Sequence, residues 1–307
     1  MNKKSLSSSS TTTTTATTTV PPDITTKASA SSPSSRASGF REPLPGRDEC
    51  PICCHVLPLA KDVSVYNPCC GKVICQGCIV GRQRAILEST GYIIGGITPE
   101  EEQFRLIMEH WSNVCPFCRS KDPDNEEEYV ERLLNRINIR NDEDYANALN
   151  TLGTFYFDGK GGLPQSIQKA EELFQQSYDL DYPTAASDLF GLYKRHHPDQ
   201  KEKMMGYARR GETLGCIRCT QALGSFAHES GNYAEVARLC MKGTRLGDDT
   251  ARDNLMELYK AQLLSKDDLA ITLRAHQASN DEMKTVQRGY GKRFLIFREL
   301  VVGEGHT

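Results

Sequence analysis

Apolar positions recur at helical spacing through the second half of the chain. The first such segment begins near Tyr129, with Leu133, Leu134 and Ile137 on one face. A charged connector, 121–128, precedes it. Asp124 or Asn125 is placed to cap this helix, and Glu126, Glu127 and Glu128 suit its positive N-terminal end. Further along, the pattern repeats. Leu152-Gly153, Phe190-Gly191 and Leu223-Gly224 are equivalent, and a small residue stands five positions before each glycine: Ala148, Ala186, Cys219. A second motif recurs in phase: Ser177-x-x-Leu180-Asp181, Gly211-x-x-Leu214-Gly215, Gly243-x-x-Leu246-Gly247, with Ala275-x-x-Ala278 as a fainter copy. Two helical patterns per period of about 35 residues predict stacked helical hairpins, an α-solenoid. Gly153, Gly191 and Gly224 are expected at the close contacts between paired helices. Gly215 and Gly247 are expected to end helices in the left-handed conformation. Upstream, Thr98-Pro99-Glu100-Glu101 reads as a capping box that opens a helix through about His110, with Leu106, Ile107 and Trp111 on its apolar face.

Composition sets the outer limits. The chain has 307 residues, which suggests about two domains. Residues 1–47 are expected to form a disordered tail, because Ser7 to Thr19 is almost unbroken Ser and Thr and offers little apolar surface to bury. A Ser-rich, acid-poor start is also the composition of organelle transit peptides. Lys+Arg number 37 against Asp+Glu 40, a net charge of −3, which argues against a general nucleic-acid binder. No apolar run approaches the ~20 residues of a membrane span. No apolar signal core follows Met1, so the chain is expected to be intracellular, cytoplasmic or nuclear. Twelve cysteines in such a setting point to metal rather than to disulfides.

Nine of the twelve lie within 48–120. They read Cys50-Pro51-Ile52-Cys53, Cys69-Cys70, Cys75-x-x-Cys78 and Cys115-Pro116-Phe117-Cys118, with Cys54 directly after a ligand and expected to be free or packed. Zinc takes four tetrahedral thiolate or imidazole ligands, so eight thiols suit two ions. This arrangement resembles a RING finger, a small zinc-bound α+β module. The resemblance implies that Cys50, Cys53, Cys75 and Cys78 hold one Zn2+ and that Cys69, Cys70, Cys115 and Cys118 hold the other. Both ions would be structural, with no open coordination position and no nucleophilic cysteine. It also implies a helix over 79–88. A RING usually carries a histidine where Lys72 stands, so an all-cysteine site is the simplest reading, with His55 or His110 as alternative ligands. Cys216, Cys219 and Cys240 lack a fourth ligand and are expected to pack in the repeats.

The second half resembles the Sel-1-like repeats, relatives of the tetratricopeptide repeats. The resemblance rests on Leu152-Gly153-x-x-Tyr156, the loop Gly159 to Pro164, and Lys169-Ala170 opening a second helix. It spans about 144–285, leaving 121–143 as connector and linking helix and 286–307 as a C-terminal tail. The fold class is therefore expected to be mainly α, a RING-like module followed by an α-solenoid. The two resemblances together imply a ubiquitin-protein ligase. A ubiquitin-conjugating enzyme would dock on the RING through Ile52, Trp111 and Pro116, with Arg119 contacting ubiquitin. A protein substrate or adaptor would bind the concave repeat face. Catalysis would then be by positioning. The rival reading is a zinc-stabilised scaffold that binds proteins and transfers nothing.

Overall fold

The computed structural model describes residues 48–57, 64–139 and 144–304, excepting the side chains of 302–304. The expected Ser/Thr-rich tail lies outside the described residues. Within them the fold is mainly helical, with one two-stranded sheet.

Strands β1 (Ser64–Asn67) and β2 (Lys72–Cys75) form an antiparallel hairpin, with Ser64 opposite Cys75 and Asn67 opposite Lys72. Its turn holds Cys69 and Cys70 and closes through Gly71 at φ +73°. Helix α1 (Gln76–Ser89) follows without a break, so it starts three residues before the expected Ile79 and takes Cys78 into its first turn. Helix α2 (Glu100–Glu109) ends at His110 as expected, but the capping box does not form. The Thr98 hydroxyl instead accepts a hydrogen bond from the Ile94 N–H in the preceding loop, at 2.9 Å. The cap on α3 (Glu126–Ile139) is Asn125, whose Oδ1 accepts from the Glu128 N–H at 2.8 Å. Its buried face is Val130 and Leu133, while Leu134 is exposed.

Four helical hairpins follow: α4 (Tyr145–Asp158) with α5 (Ile167–Asp179), α6 (Pro183–His196) with α7 (Lys201–Thr213), α8 (Ile217–Glu229) with α9 (Tyr233–Arg245), and α10 (Asp249–Lys260) with α11 (Lys266–Met283). They stack as an α-solenoid. Buried apolar side chains run from Phe174, Leu189 and Tyr207 through Leu223 and Leu239 to Met241 and Leu255. The repeat is most regular in the second helix of each hairpin. Ser166, Asn232 and Ser265 each accept a backbone N–H three residues on and so cap α5, α9 and α11. The helices α5, α7 and α9 end alike, at Asp181 (φ +59°), Gly215 (φ +85°) and Gly247 (φ +97°). There Tyr182, Cys216 and Asp248 return their N–H groups to the carbonyls of Ser177, Gly211 and Gly243 at 2.8–3.2 Å.

The close helix contacts fall elsewhere than the first motif predicts. Of its three glycines only Gly153 is tight, against the Phe174 ring; a Cβ on Gly191 or Gly224 would meet nothing within 4 Å. The second motif supplies the others. A Cβ on Gly211 would collide with Cys219 and Ala186, and one on Gly243 would lie 2.8 Å from the Ala251 Cβ. The fourth copy is also shifted. His276, not Ala275, stands eleven residues after its cap Ser265, as Ser177 does after Ser166 and Gly243 after Asn232. The buried His276 ring fills the position with hydrogen bonds to the Thr244 carbonyl (3.0 Å) and Asp249 (3.2 Å).

The segment 286–307, expected as a tail, is corrected by the structure: Val286–Glu304 forms a helix, α12. It returns to the cysteine-rich half and packs Tyr290 and Phe294 against Val80, Leu87, Phe104 and Ile107 of α1 and α2. Arg293 adds a two-pronged ion pair to Glu100 at 2.7 and 2.8 Å. The sequence pattern missed α12 because apolar residues lie on several of its faces, and Ile296 and Leu300 remain exposed.

Glycine substitutions test this register. Gly211→Leu overpacks the contact with Ala186 and Cys219 and is expected to cost on the order of 1–3 kcal/mol. Gly224→Ala enters open space in a helix interior and is expected to stabilise by about 0.5–1 kcal/mol. Thermal unfolding followed by circular dichroism reads both.

Candidate metal centres

The eight cysteines gather into two groups. One is Cys50, Cys53, Cys75 and Cys78; the other is Cys69, Cys70, Cys115 and Cys118. In each group all four sulfurs lie within 4.8 Å of one another. The first and third sequence pairs thus meet, and so do the second and fourth. The sulfurs of Cys50 and Cys78 are 3.8 Å apart, Cys53 and Cys75 3.9 Å, Cys70 and Cys115 3.8 Å, and Cys69 and Cys118 3.4 Å. Four sulfurs at about 2.3 Å from a tetrahedral ion are about 3.8 Å apart. These separations fit that geometry and are far too long for disulfides of about 2.05 Å. Each group can therefore hold a metal ion, and an all-thiolate donor set is compatible with zinc.

Two knuckles of the same design present half of the donors. In Cys50-Pro51-Ile52-Cys53 the N–H of Cys54 bonds the Cys50 carbonyl at 2.8 Å, and Cys50 N–H bonds His55 O at 2.9 Å. In Cys115-Pro116-Phe117-Cys118 the N–H of Arg119 bonds the Cys115 carbonyl at 3.1 Å, and Cys115 N–H bonds Ser120 O at 2.8 Å. Both turns close on a left-handed residue, Cys54 at φ +53° and Arg119 at φ +62°. The other half comes from the hairpin and α1. Cys69 and Cys70 sit in the β-turn, Cys75 ends β2, and Cys78 lies in the first turn of α1.

The thiols perturb one another. Hydrogen bonding with Cys75, and then Cys78, drives Cys50 far below the usual thiol range. The reciprocal bonds with Cys50 push Cys75 and Cys78 up. In the second group Cys70 falls to about 6 through its hydrogen bond with Cys69, while Cys69 is driven up. Metal entry must displace any protons the sulfurs carry, so binding at either group depends on pH.

Neither histidine alternative joins a group. The His55 ring nitrogen contacts the Cys53 carbonyl at 2.5 Å, and His110 packs on Tyr92 with ring centres 4.5 Å apart. Lys72 pairs with Asp144 at 2.9 Å and so ties the hairpin to the start of α4. Helix α3 braces the second group from behind. Arg136 donates to the Pro68 carbonyl at 3.0 Å and the Cys69 carbonyl at 3.3 Å, and the Tyr129 hydroxyl donates to Tyr66 O at 3.2 Å. Two buried polar residues that the sequence did not single out tie these elements together: Gln83 holds the approach to Cys115, and Gln103 holds the start of α2 to α12. Gln83 exchanges two hydrogen bonds with the Ser112 backbone at 2.8 and 3.0 Å, and Gln103 bonds the Thr98 carbonyl and the Tyr290 hydroxyl.

The remaining expected positions are dispersed. Ile52 is 41% exposed at the tip of the first knuckle, with Phe117 (45%) at the matching place in the second. Arg119 is exposed and Pro116 half-buried. Trp111 is half-buried and stacks on Phe294 of α12, with ring centres 6.1 Å apart. A cleft of about 250 Å³ beside the second group is lined by Val65, Ile79, Trp111, Pro116, Tyr129 and Arg298, among others. Cys216, Cys219 and Cys240 are buried among the repeats and join no metal group among the described residues. Burial pushes the Cys240 thiol up to about 12.

No known family model matches this chain, and no curated protein matches it either. One solved structure it is similar to is a protective antigen of uropathogenic Escherichia coli that displays an SLR fold. The two are 16% identical with a TM-score of 0.39, over 69% of this chain and 47% of the antigen. The match thus spans about half the length of that protein.

Alkylation offers a direct test of the two groups. With metal bound, iodoacetamide is expected to modify the exposed Cys54 fastest and the buried Cys219 and Cys240 slowest, with the eight clustered thiols protected. Removing the metal with a chelator at unchanged pH is expected to expose those eight, because the freed sulfurs are then open to the reagent as thiolates. Peptide mass spectrometry reads the order.

Proposed function

We propose that the cysteine-rich half is a RING-type module with two structural zinc ions, and that the chain is a ubiquitin-protein ligase. The observation that carries this reading is the interleaving of ligand pairs, first with third and second with fourth. Interleaving lets a segment with few apolar residues of its own lock into one shape. The two knuckle tips, Ile52 and Phe117, stay open to solvent, which suits a shallow apolar docking surface for a conjugating enzyme. Arg119, exposed after the last cysteine, is the candidate for bonding the enzyme and ubiquitin together. The solenoid, read as Sel-1-like repeats from its first unit and its repeated helix ends, would gather a protein substrate or adaptor. Such a ligase needs no covalent catalytic residue. It accelerates transfer by holding the loaded enzyme in a reactive pose.

A scaffold without transfer activity is the second reading. What favours it is Trp111, which is half-buried and stacks on Phe294 within the chain.

Discharge of a ubiquitin-loaded conjugating enzyme separates the two. Ile52→Ala is expected to weaken docking by on the order of 1–3 kcal/mol through lost apolar contact. Arg119→Ala is expected to preserve docking and slow discharge, since it removes charge-assisted hydrogen bonds from the closed complex. Both variants should keep two ions by native mass spectrometry, whereas Cys53→Ser should lose the first. A zinc-loaded wild-type chain that discharges no enzyme in a broad panel would leave the scaffold reading standing.

A further inference from the structure

The first cysteine group is approached by a segment far from it in sequence. Helix α12 crosses α1 at glycine on both sides. A Cβ on Gly77 would come within 2.6 Å of the Arg288 Cα, and one on Gly291 within 2.9 Å of the Gly77 Cα. Gly77 lies between Cys75 and Cys78, so the two backbones touch at the metal-facing turn itself. That contact places Arg288 beside the first knuckle. Its Nη1 donates to Val56 O at 2.5 Å and to Met283 O at 3.0 Å. Its Nη2 donates to His55 O at 3.0 Å and to the Cys53 sulfur at 3.5 Å. The neighbouring Gln287 has its Oε1 4.0 Å from the Cys78 sulfur.

A divalent ion with four thiolates carries a net charge of about −2. Cys50, Cys75 and Cys78 are buried, so water neutralises that charge poorly on this side. A guanidinium in contact with one sulfur and with two carbonyls of the same knuckle both offsets the charge and fixes the ligand's direction. We propose that Arg288 is an outer-shell positioning residue of the first metal centre, so that docking of α12 and retention of that ion are coupled. The inference rests on reading Cys50, Cys53, Cys75 and Cys78 as a metal site. The second group is braced differently: Arg136 reaches its backbone carbonyls from α3. The effect of Arg288 is therefore confined to one of the two ions.

The test uses the full chain loaded with zinc, and separately with cobalt(II), challenged with a chromogenic chelator. Arg288→Met is expected to release one ion about 10- to 100-fold faster and the other at the wild-type rate. Its thiolate-to-cobalt charge-transfer band is expected to shift for one site alone, because an N–H to sulfur bond is lost. Arg288→Lys, which keeps a cation and a donor, is expected to recover much of the retention. Gly291→Val, which pries the helices apart, is expected to hasten release of the same ion. If Arg288→Met releases both ions at wild-type rates, or hastens both equally, the inference is overturned. If the wild-type chain binds no ion at the Cys50 group, the metal reading falls and this one with it.

Discussion

The constraint on which the cysteine-rich half depends is that each four-sulfur group must be assembled from two distant pairs. The core around these ligands is made largely of the ligands themselves, with Cys50, Cys75, Cys78 and Cys115 joined by little more than Leu57 and Ile74. A core so small cannot by itself offset the entropy of ordering the hairpin and the two knuckles through apolar burial. An ion bound by each group would supply what burial cannot, and because the pairs interleave, neither group can close while the hairpin and the two knuckles are apart.

The helices on either side complete the work. Helix α3 reaches the turn that carries Cys69 and Cys70, and Lys72 answers Asp144 at the first hairpin of the solenoid. Helix α12 reaches the opposite group through Arg288 and buries its aromatic face on α1 and α2. The cysteine-rich half is thus held from both ends of the repeat array, and its two groups have different neighbours. That asymmetry gives a physical reason for the two centres to differ in how readily they exchange metal.

The repeat array follows a different logic. Its regularity lies in helix ends and close contacts, not in large side chains. The left-handed residue after α5, α7 and α9 fixes where the chain turns, and Gly211 and Gly243 fix how near the next helix comes. Asp181 adopts the conformation that Gly215 and Gly247 take at the equivalent point, and Arg210 binds its carboxylate across the turn at 2.5 Å. A charged side chain there exchanges conformational ease for an inter-helix contact.

Legible along the chain alone were the helical period, the choice of Asp124 or Asn125 as the cap of α3, and the eight clustered cysteines. These are local properties: a cap needs only the residue three positions on, and a Cys-x-x-Cys turn presents both sulfurs to one side. Three things were decided by tertiary structure. Which glycines are tight depends on what lies across from them, so Gly211 and Gly224 look alike in the chain but not in the fold. Which pair meets which is a matter of chain path, because spacing along the sequence is indifferent to interleaving. And α12 showed no single apolar face, because it buries residues against α1 and α2 while leaving Ile296 and Leu300 in solvent. Its contact with the first cysteine group exists only once Gly77 and Gly291 have brought the two backbones together.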